Sequence, residues 1–132
     1  MVKMKRRQNI HKYSYSVFLR DVESIIKEIN KRGWRLHYVY GPPRGGCILA
    51  VFLSHKLNLK YLSTLKEKHI PGKTLLVDDV SDTGNTLKNI KNINKYKTVT
   101  IYVKPGTCFI PNIHIRDIPR KYWITYWWEK EY

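Results

Sequence analysis

A chain of 132 residues and 15.8 kDa is long enough to bury one core and too short for several domains. Its 42% hydrophobic content, with ten tyrosines and four tryptophans, excludes a disordered chain. The formal charge of +15 favours polyanionic or phosphorylated partners, although abundant Lys, Asn, Ile and Tyr would also follow from an AT-rich coding sequence.

Residues 1–13 are basic and aperiodic, and are expected to form a loose arm ahead of a single domain over 14–132. Phe18, Val22, Ile25, Ile26 and Ile29 then recur at helical spacing opposite Arg20, Glu23, Lys27 and Glu28. Ser16 is the expected N-cap and Gly33 the stop. Leu36 to Tyr40 reads as a strand that ends in Gly41-Pro42-Pro43-Arg44-Gly45-Gly46. The next run, Cys47 to Leu57, is apolar on every side through Leu53, which predicts a buried helix. Tyr61-Leu62 predicts a short strand, completing a βαβ unit of a parallel sheet.

Residues 63–72 are polar and predict a loop. Lys73 to Val77 predicts a buried strand, and Leu87, Ile90 and Ile93 predict a helix from about Gly84 to Asn94. Thr98 to Val103 predicts another strand, Ile113 and Ile115 alternate with polar residues, and Tyr122 to Trp128 is an aromatic block. The class is α/β, with a mostly parallel sheet flanked by helices. Two cysteines, Cys47 and Cys108, make neither a disulfide framework nor a zinc site, which fits a reducing, cytoplasmic setting. The five histidines show no metal-ligand spacing. The longest apolar run, Cys47 to Leu53, falls far below the roughly 18 residues of a membrane span, so no membrane partner is expected.

Three of the ten acids, Asp78, Asp79 and Asp82, fall within five residues of this basic chain. In a parallel sheet the turns after the strands, 41–46, 78–86 and 104–107, lie along one edge. Gly45-Gly46 with Arg44 suits phosphate oxygens. Thr83-Gly84-Asn85-Thr86, leading into a helix, suits a phosphate monoester. Asp78 and Asp79 between them suit a diol or Mg²⁺ held through water. The ligand implied carries two phosphate groups separated by a diol. A P-loop is excluded because Cys47 stands where its lysine belongs, and no G-x-G-x-x-G follows a strand.

Leu75 to Thr86 resembles the phosphoribosyl-pyrophosphate (PRPP) motif of the type I phosphoribosyltransferases. Pro43-Arg44-Gly45-Gly46 is similar to their pyrophosphate loop. Val99 to Gly106, Asp117-Ile118-Pro119 and Trp123-Ile124 resemble the purine branch, in particular the bacterial xanthine-guanine enzymes. The resemblance runs from about residue 15 to 129 and implies a small C-terminal hood over the sheet. It also implies Asp78 and Asp79 on the ribose hydroxyls or near Mg²⁺, and Asp82 as the acid/base at purine N7. Asp82, Thr83, Gly84, Asn85 and Thr86 would hold the 5′-phosphate. Arg44 and Gly45 would contact pyrophosphate, often across a non-proline cis peptide. Lys104 would donate to purine O6, Trp123 would stack on the base, Ile124 would offer backbone to its exocyclic edge, and Glu129 would reach a second Mg²⁺. The mobile loop of these enzymes is reduced here to about ten residues, Ser63 to Gly72, with Lys66, Lys68 and His69.

The activity implied is transfer of the 5-phosphoribosyl group from PRPP to a 6-oxopurine (guanine, xanthine or hypoxanthine), in purine salvage. A homo-oligomer is expected from the abundant aromatics. The alternative is a catalytically weak regulator of the same fold that binds PRPP or nucleotide together with nucleic acid. The +15 charge and the short loop favour the regulator, and the acidic motif with Lys104 and Trp123 favours the enzyme, which is the reading adopted.

Overall fold

The computed structural model describes residues 9–66 and 69–129. Among these residues there are seven strands, β1 (Asn9–Tyr13), β2 (Tyr38–Tyr40), β3 (Lys60–Leu62), β4 (Thr74–Ser81), β5 (Lys97–Val103), β6 (Ile113–Asp117) and β7 (Tyr122–Tyr126), and three α-helices, α1 (Tyr15–Arg32), α2 (Cys47–Leu57) and α3 (Asn85–Lys88). Five strands form one parallel sheet in the order β3-β2-β4-β5-β6. The chain leaves β2 toward β3 on one side and returns to β4 on the other. The crevice between the carboxyl ends of β2 and β4 is therefore a topological switch point.

α1 forms as its apolar stripe requires, with Phe18, Val22, Ile25 and Ile29 buried. Its N-cap is Ser14 rather than Ser16: the Ser14 hydroxyl accepts from the Val17 N–H at 3.3 Å, so the helix starts earlier than expected. Gly33 closes it at φ +67°, with its N–H returned to Asn30 and Ile29. α2 matches its expected bounds, and Leu49, Ala50 and Leu53 are sealed from water.

β4 carries the sheet's logic. Leu75 and Val77 enter the larger core with α1 and α2, whereas Leu76 enters a second cluster with Leu87 and Ile93 on the opposite face. The period-2 alternation of a strand divides them. The short loop is tied to this second face through Leu65.

Two sequence expectations are corrected. Residues 9–13, read as part of a loose arm, form β1, which pairs in parallel with β7 from Asn9↔Tyr122 to Tyr13↔Tyr126. The hood is thus built from both ends of the described chain. Only Tyr13 of β1 is buried, so no alternation announced the strand. Residues 1–8 of that arm lie outside the described residues. The helix expected from Gly84 to Asn94 is a single turn, α3, followed by a 3-10 turn at Ile93–Lys95. Asn92 adopts φ +61°, and Leu87, Ile90 and Ile93 reach the core from separate turns rather than one helix. Among the described residues no helix is long and apolar enough to cross a membrane.

The hood is pinned by one buried charge. Asp21 of α1, 3% exposed, accepts two bonds from Arg116 of β6 (Nε 2.7 Å, Nη2 2.9 Å) and one from the Tyr13 hydroxyl. Burial and the Asp21 carboxylate keep that hydroxyl protonated. Three elements thereby converge on a single carboxylate.

Candidate active site

The turns after β2, β4 and β5 lie along one sheet edge, as parallel strands require. The first contains a cis peptide between Pro43 and Arg44. Gly45 sits so close to the acidic strand that a Cβ there would stand 2.7 Å from Asp79 Oδ1. Only glycine permits this approach. Arg44 is exposed on the same turn.

Asp78 and Asp79, expected in a turn, are the fifth and sixth residues of β4. The Asp79 N–H donates to Asp78 Oδ1 at 2.9 Å, and the Val80 N–H to Asp79 Oδ1 at 2.8 Å. Burial first, and then the neighbouring Asp79 charge, push the Asp78 carboxyl up to about 8. Burial raises Asp79 as well, against the bonds it receives from Asp78 and Val80. Two crowded carboxylates of this kind suit a divalent cation, hydroxyl donors, or both. Among the described residues no group of three or more His, Cys, Asp or Glu could hold a metal by side chains alone.

A testable consequence follows for the ligand-free protein. A carboxyl less acidic when folded than when unfolded binds its proton preferentially in the folded state. The associated stability is complete below the ordinary carboxylate range, declines as pH rises, and is lost above about 8. Asp78→Asn should therefore melt progressively higher than the unaltered protein between pH 5 and pH 8 in chelator-containing buffer, rising by about 1 kcal/mol or more. Parallel melting curves across that range would contradict the assignment.

Asp82 follows β4 and is gripped from both sides. Lys104 Nζ stands 3.3 Å from Oδ2 and also donates to the Tyr122 carbonyl at 2.9 Å. Lys104 is only 6% exposed although charged, so both acceptors are needed. Arg120 Nη1 donates to Asp82 Oδ1 at 2.7 Å. Nothing in the sequence reading selected Arg120; its only signal is its position directly after Asp117-Ile118-Pro119.

Asp78, Asp79, Asp82, Thr83, Gly84 and Thr86 line one cleft of about 240 Å³ together with Gly45. Lys104 lines an adjoining hollow with Val103, Pro105, Asp117 and Ile118. The Lys104–Asp82 pair joins the two. Gly84 has φ +90°, and a Cβ there would meet the Phe109 N–H at 2.5 Å, because residues 83–84 press against the loop after β5. The Cys108 N–H donates to the Thr83 carbonyl at 2.8 Å across this contact. With α3 only four residues long, a helix dipole contributes little here. The donors this loop offers an anion are its own N–H groups and the hydroxyls of Thr83 and Thr86.

The remaining expected residues are less tightly gathered. Trp123 is 41% exposed, next to the Tyr122 carbonyl that holds Lys104, while the Ile124 side chain is buried. Asn85 is exposed and accepts from the Cys108 thiol at 3.5 Å. The Glu129 carboxylate accepts from the Tyr126 N–H at 3.0 Å, though its charge still reaches Asp79. Among the described residues the Tyr126 hydroxyl, though buried, has no hydrogen-bond partner, and it lies in the field of Asp79 and Asp78. His69 is buried against Tyr38, at the amino end of β2, and its Nδ1 accepts from the Lys66 N–H. It thus lies away from the reacting edge. Lys68 is outside the described residues.

No protein-family model matches the chain. It is 25% identical over 134 residues to the xanthine-guanine phosphoribosyltransferase of Chromohalobacter salexigens, covering 88% of this chain and 82% of that protein. Among solved structures, the purine phosphoribosyltransferase of Pyrococcus horikoshii superposes with a TM-score of 0.77 at 25% identity, covering 92% of this chain and 95% of that one. The Helicobacter pylori xanthine-guanine-hypoxanthine phosphoribosyltransferase superposes with a TM-score of 0.76 at 24% identity, covering 92% and 93%. The fold is that of the type I phosphoribosyltransferases. The relatives it resembles in this way are named as purine phosphoribosyltransferases.

Proposed function

We propose that the protein is a purine phosphoribosyltransferase that joins PRPP to a 6-oxopurine, giving a nucleoside 5′-monophosphate and pyrophosphate. The observation that carries this is the junction at Asp82, where a cleft lined by Asp78, Asp79 and a hydroxyl-rich loop meets a hollow lined by a buried lysine. The names of the relatives support the same reaction class.

In this reading Asp78 and Asp79 accept from the ribose hydroxyls, and residues 82–86 hold the 5′-phosphate. Gly45 brings backbone close to Asp79, where the pyrophosphate would lie beside Arg44. Lys104 donates to O6, and Trp123 covers the base. Purine N9 attacks C1 of the ribose, the C1–oxygen bond breaks toward pyrophosphate, and the N7 proton passes to Asp82. Fixing both substrates in one cleft supplies the positional advantage. Mg²⁺, for which Asp78 and Asp79 form a suitable pair, would neutralise charge on the leaving pyrophosphate.

A coupled assay with PRPP, Mg²⁺ and each of guanine, xanthine, hypoxanthine and adenine tests the reading. Turnover is expected with 6-oxopurines and not with adenine, which offers a donor where Lys104 needs an acceptor. Lys104→Ala should raise KM for the 6-oxopurine roughly tenfold or more while changing KM for PRPP far less. An unchanged base preference in that variant would remove Lys104 from the specificity argument.

A further inference from the structure

We infer that Arg120 is the positioning residue of Asp82, and that it divides the two carboxylate oxygens between different tasks. This rests on the phosphoribosyl-transfer reading above, and it adds a residue that neither the sequence motifs nor the relatives' names point to.

The Arg120 side chain is 48% exposed, and an arginine so placed usually wanders. Here its whole fork is committed. Nη1 donates to Asp82 Oδ1 at 2.7 Å and Nη2 to the Asp82 carbonyl at 2.9 Å. Nε and Nη2 both donate to the Pro105 carbonyl, at 3.0 and 2.8 Å. One side chain from the β6–β7 connection therefore fixes the loop after β4 and the loop after β5 together. The planar guanidinium can serve three acceptors at set angles, which an ammonium cannot.

Among the described residues the other oxygen, Oδ2, is paired with Lys104 at 3.3 Å, and Lys104 has the Tyr122 carbonyl as a second acceptor. When a purine O6 draws the lysine away, Oδ2 is released and Oδ1 stays held. Oδ2 is then the atom that takes the N7 proton, and Arg120 keeps it aimed.

Steady-state kinetics of Arg120→Ala and Arg120→Lys, each in the unaltered and the Asp82→Ala backgrounds, test this. In the unaltered background Arg120→Ala should lower kcat by roughly 10- to 100-fold, with KM for PRPP within about twofold. Arg120→Lys should recover little, since it restores charge without the fork. With Asp82 already alanine, losing Arg120 should cost less than about twofold, because no carboxylate remains to be aimed. An equal loss in both backgrounds would make Arg120 a structural tie only, and an unchanged kcat or full rescue by lysine would overturn the inference. Activity of the unaltered protein tests the functional reading separately. If that activity is absent, crystal structures of the ligand-free protein and of Arg120→Ala still decide: a reoriented Asp82 carboxylate supports the inference and an unmoved one overturns it.

Discussion

Asp82→Ala is expected to lower kcat by about 10²- to 10⁴-fold while leaving PRPP affinity nearly intact. The asymmetry follows from geometry. In the proposed reading, Asp78, Asp79 and the 83–86 loop would remain to hold PRPP, whereas Lys104 and Arg120 would both lose Asp82 as their common partner. An acid/base role at Asp82 would act in the transition state, so its loss would appear in kcat and kcat/KM together. Titrating PRPP into the variant and measuring turnover separately checks this. Equal losses of binding and turnover would demote Asp82 to a phosphate-loop residue.

Arg116→Ala is expected to lower the protein's stability by about 3 kcal/mol. It would leave Asp21 buried with only the Tyr13 hydroxyl as a partner. The estimate takes the lower end of the range for broken buried pairs because the arginine is 39% exposed while Asp21 is 4% exposed. For a domain of this size that is a fall in Tm of about 10 °C. The surface pair Lys56–Glu23, at 3.6 Å and with both side chains at least half exposed, supplies the control. Lys56→Ala should change stability by less than about 1 kcal/mol. Similar effects from the two substitutions would mean that Asp21 is not the pin it appears from its three bonds.

The sheet and its large helices were legible because their signals are local. The stripe from Phe18 to Ile29, the uniformly apolar start of α2 and the β-branched runs of β4 and β5 each state their burial within a single element. The strand β1 was not legible, since what makes it a strand is a partner more than a hundred residues away and only Tyr13 faces the core. The region after Gly84 misled for the opposite reason. Leu87, Ile90 and Ile93 have helical spacing, yet left-handed Asn92 breaks the run and each apolar residue arrives by its own turn. Within the site, the acids could be named because their chemistry is concentrated in sequence, and Lys104 because it follows a strand in a stretch that resembles the purine branch. Arg120 could not, because its significance lies wholly in reaching Asp82, 38 positions away. On either side of residues 67–68, the short loop meets the sheet through Leu65, packed on the second cluster, and His69, against Tyr38.

The most direct measurement is of products. The protein is incubated with PRPP, Mg²⁺ and guanine, and the mixture is resolved by ion exchange with pyrophosphate quantified in parallel. The expected result is guanosine 5′-monophosphate and pyrophosphate in equal amounts, dependent on Asp82. PRPP left intact with guanine, xanthine and hypoxanthine alike, while the same preparation binds nucleic acid in a salt-dependent manner, would contradict the enzyme and favour a binding protein built on the same fold.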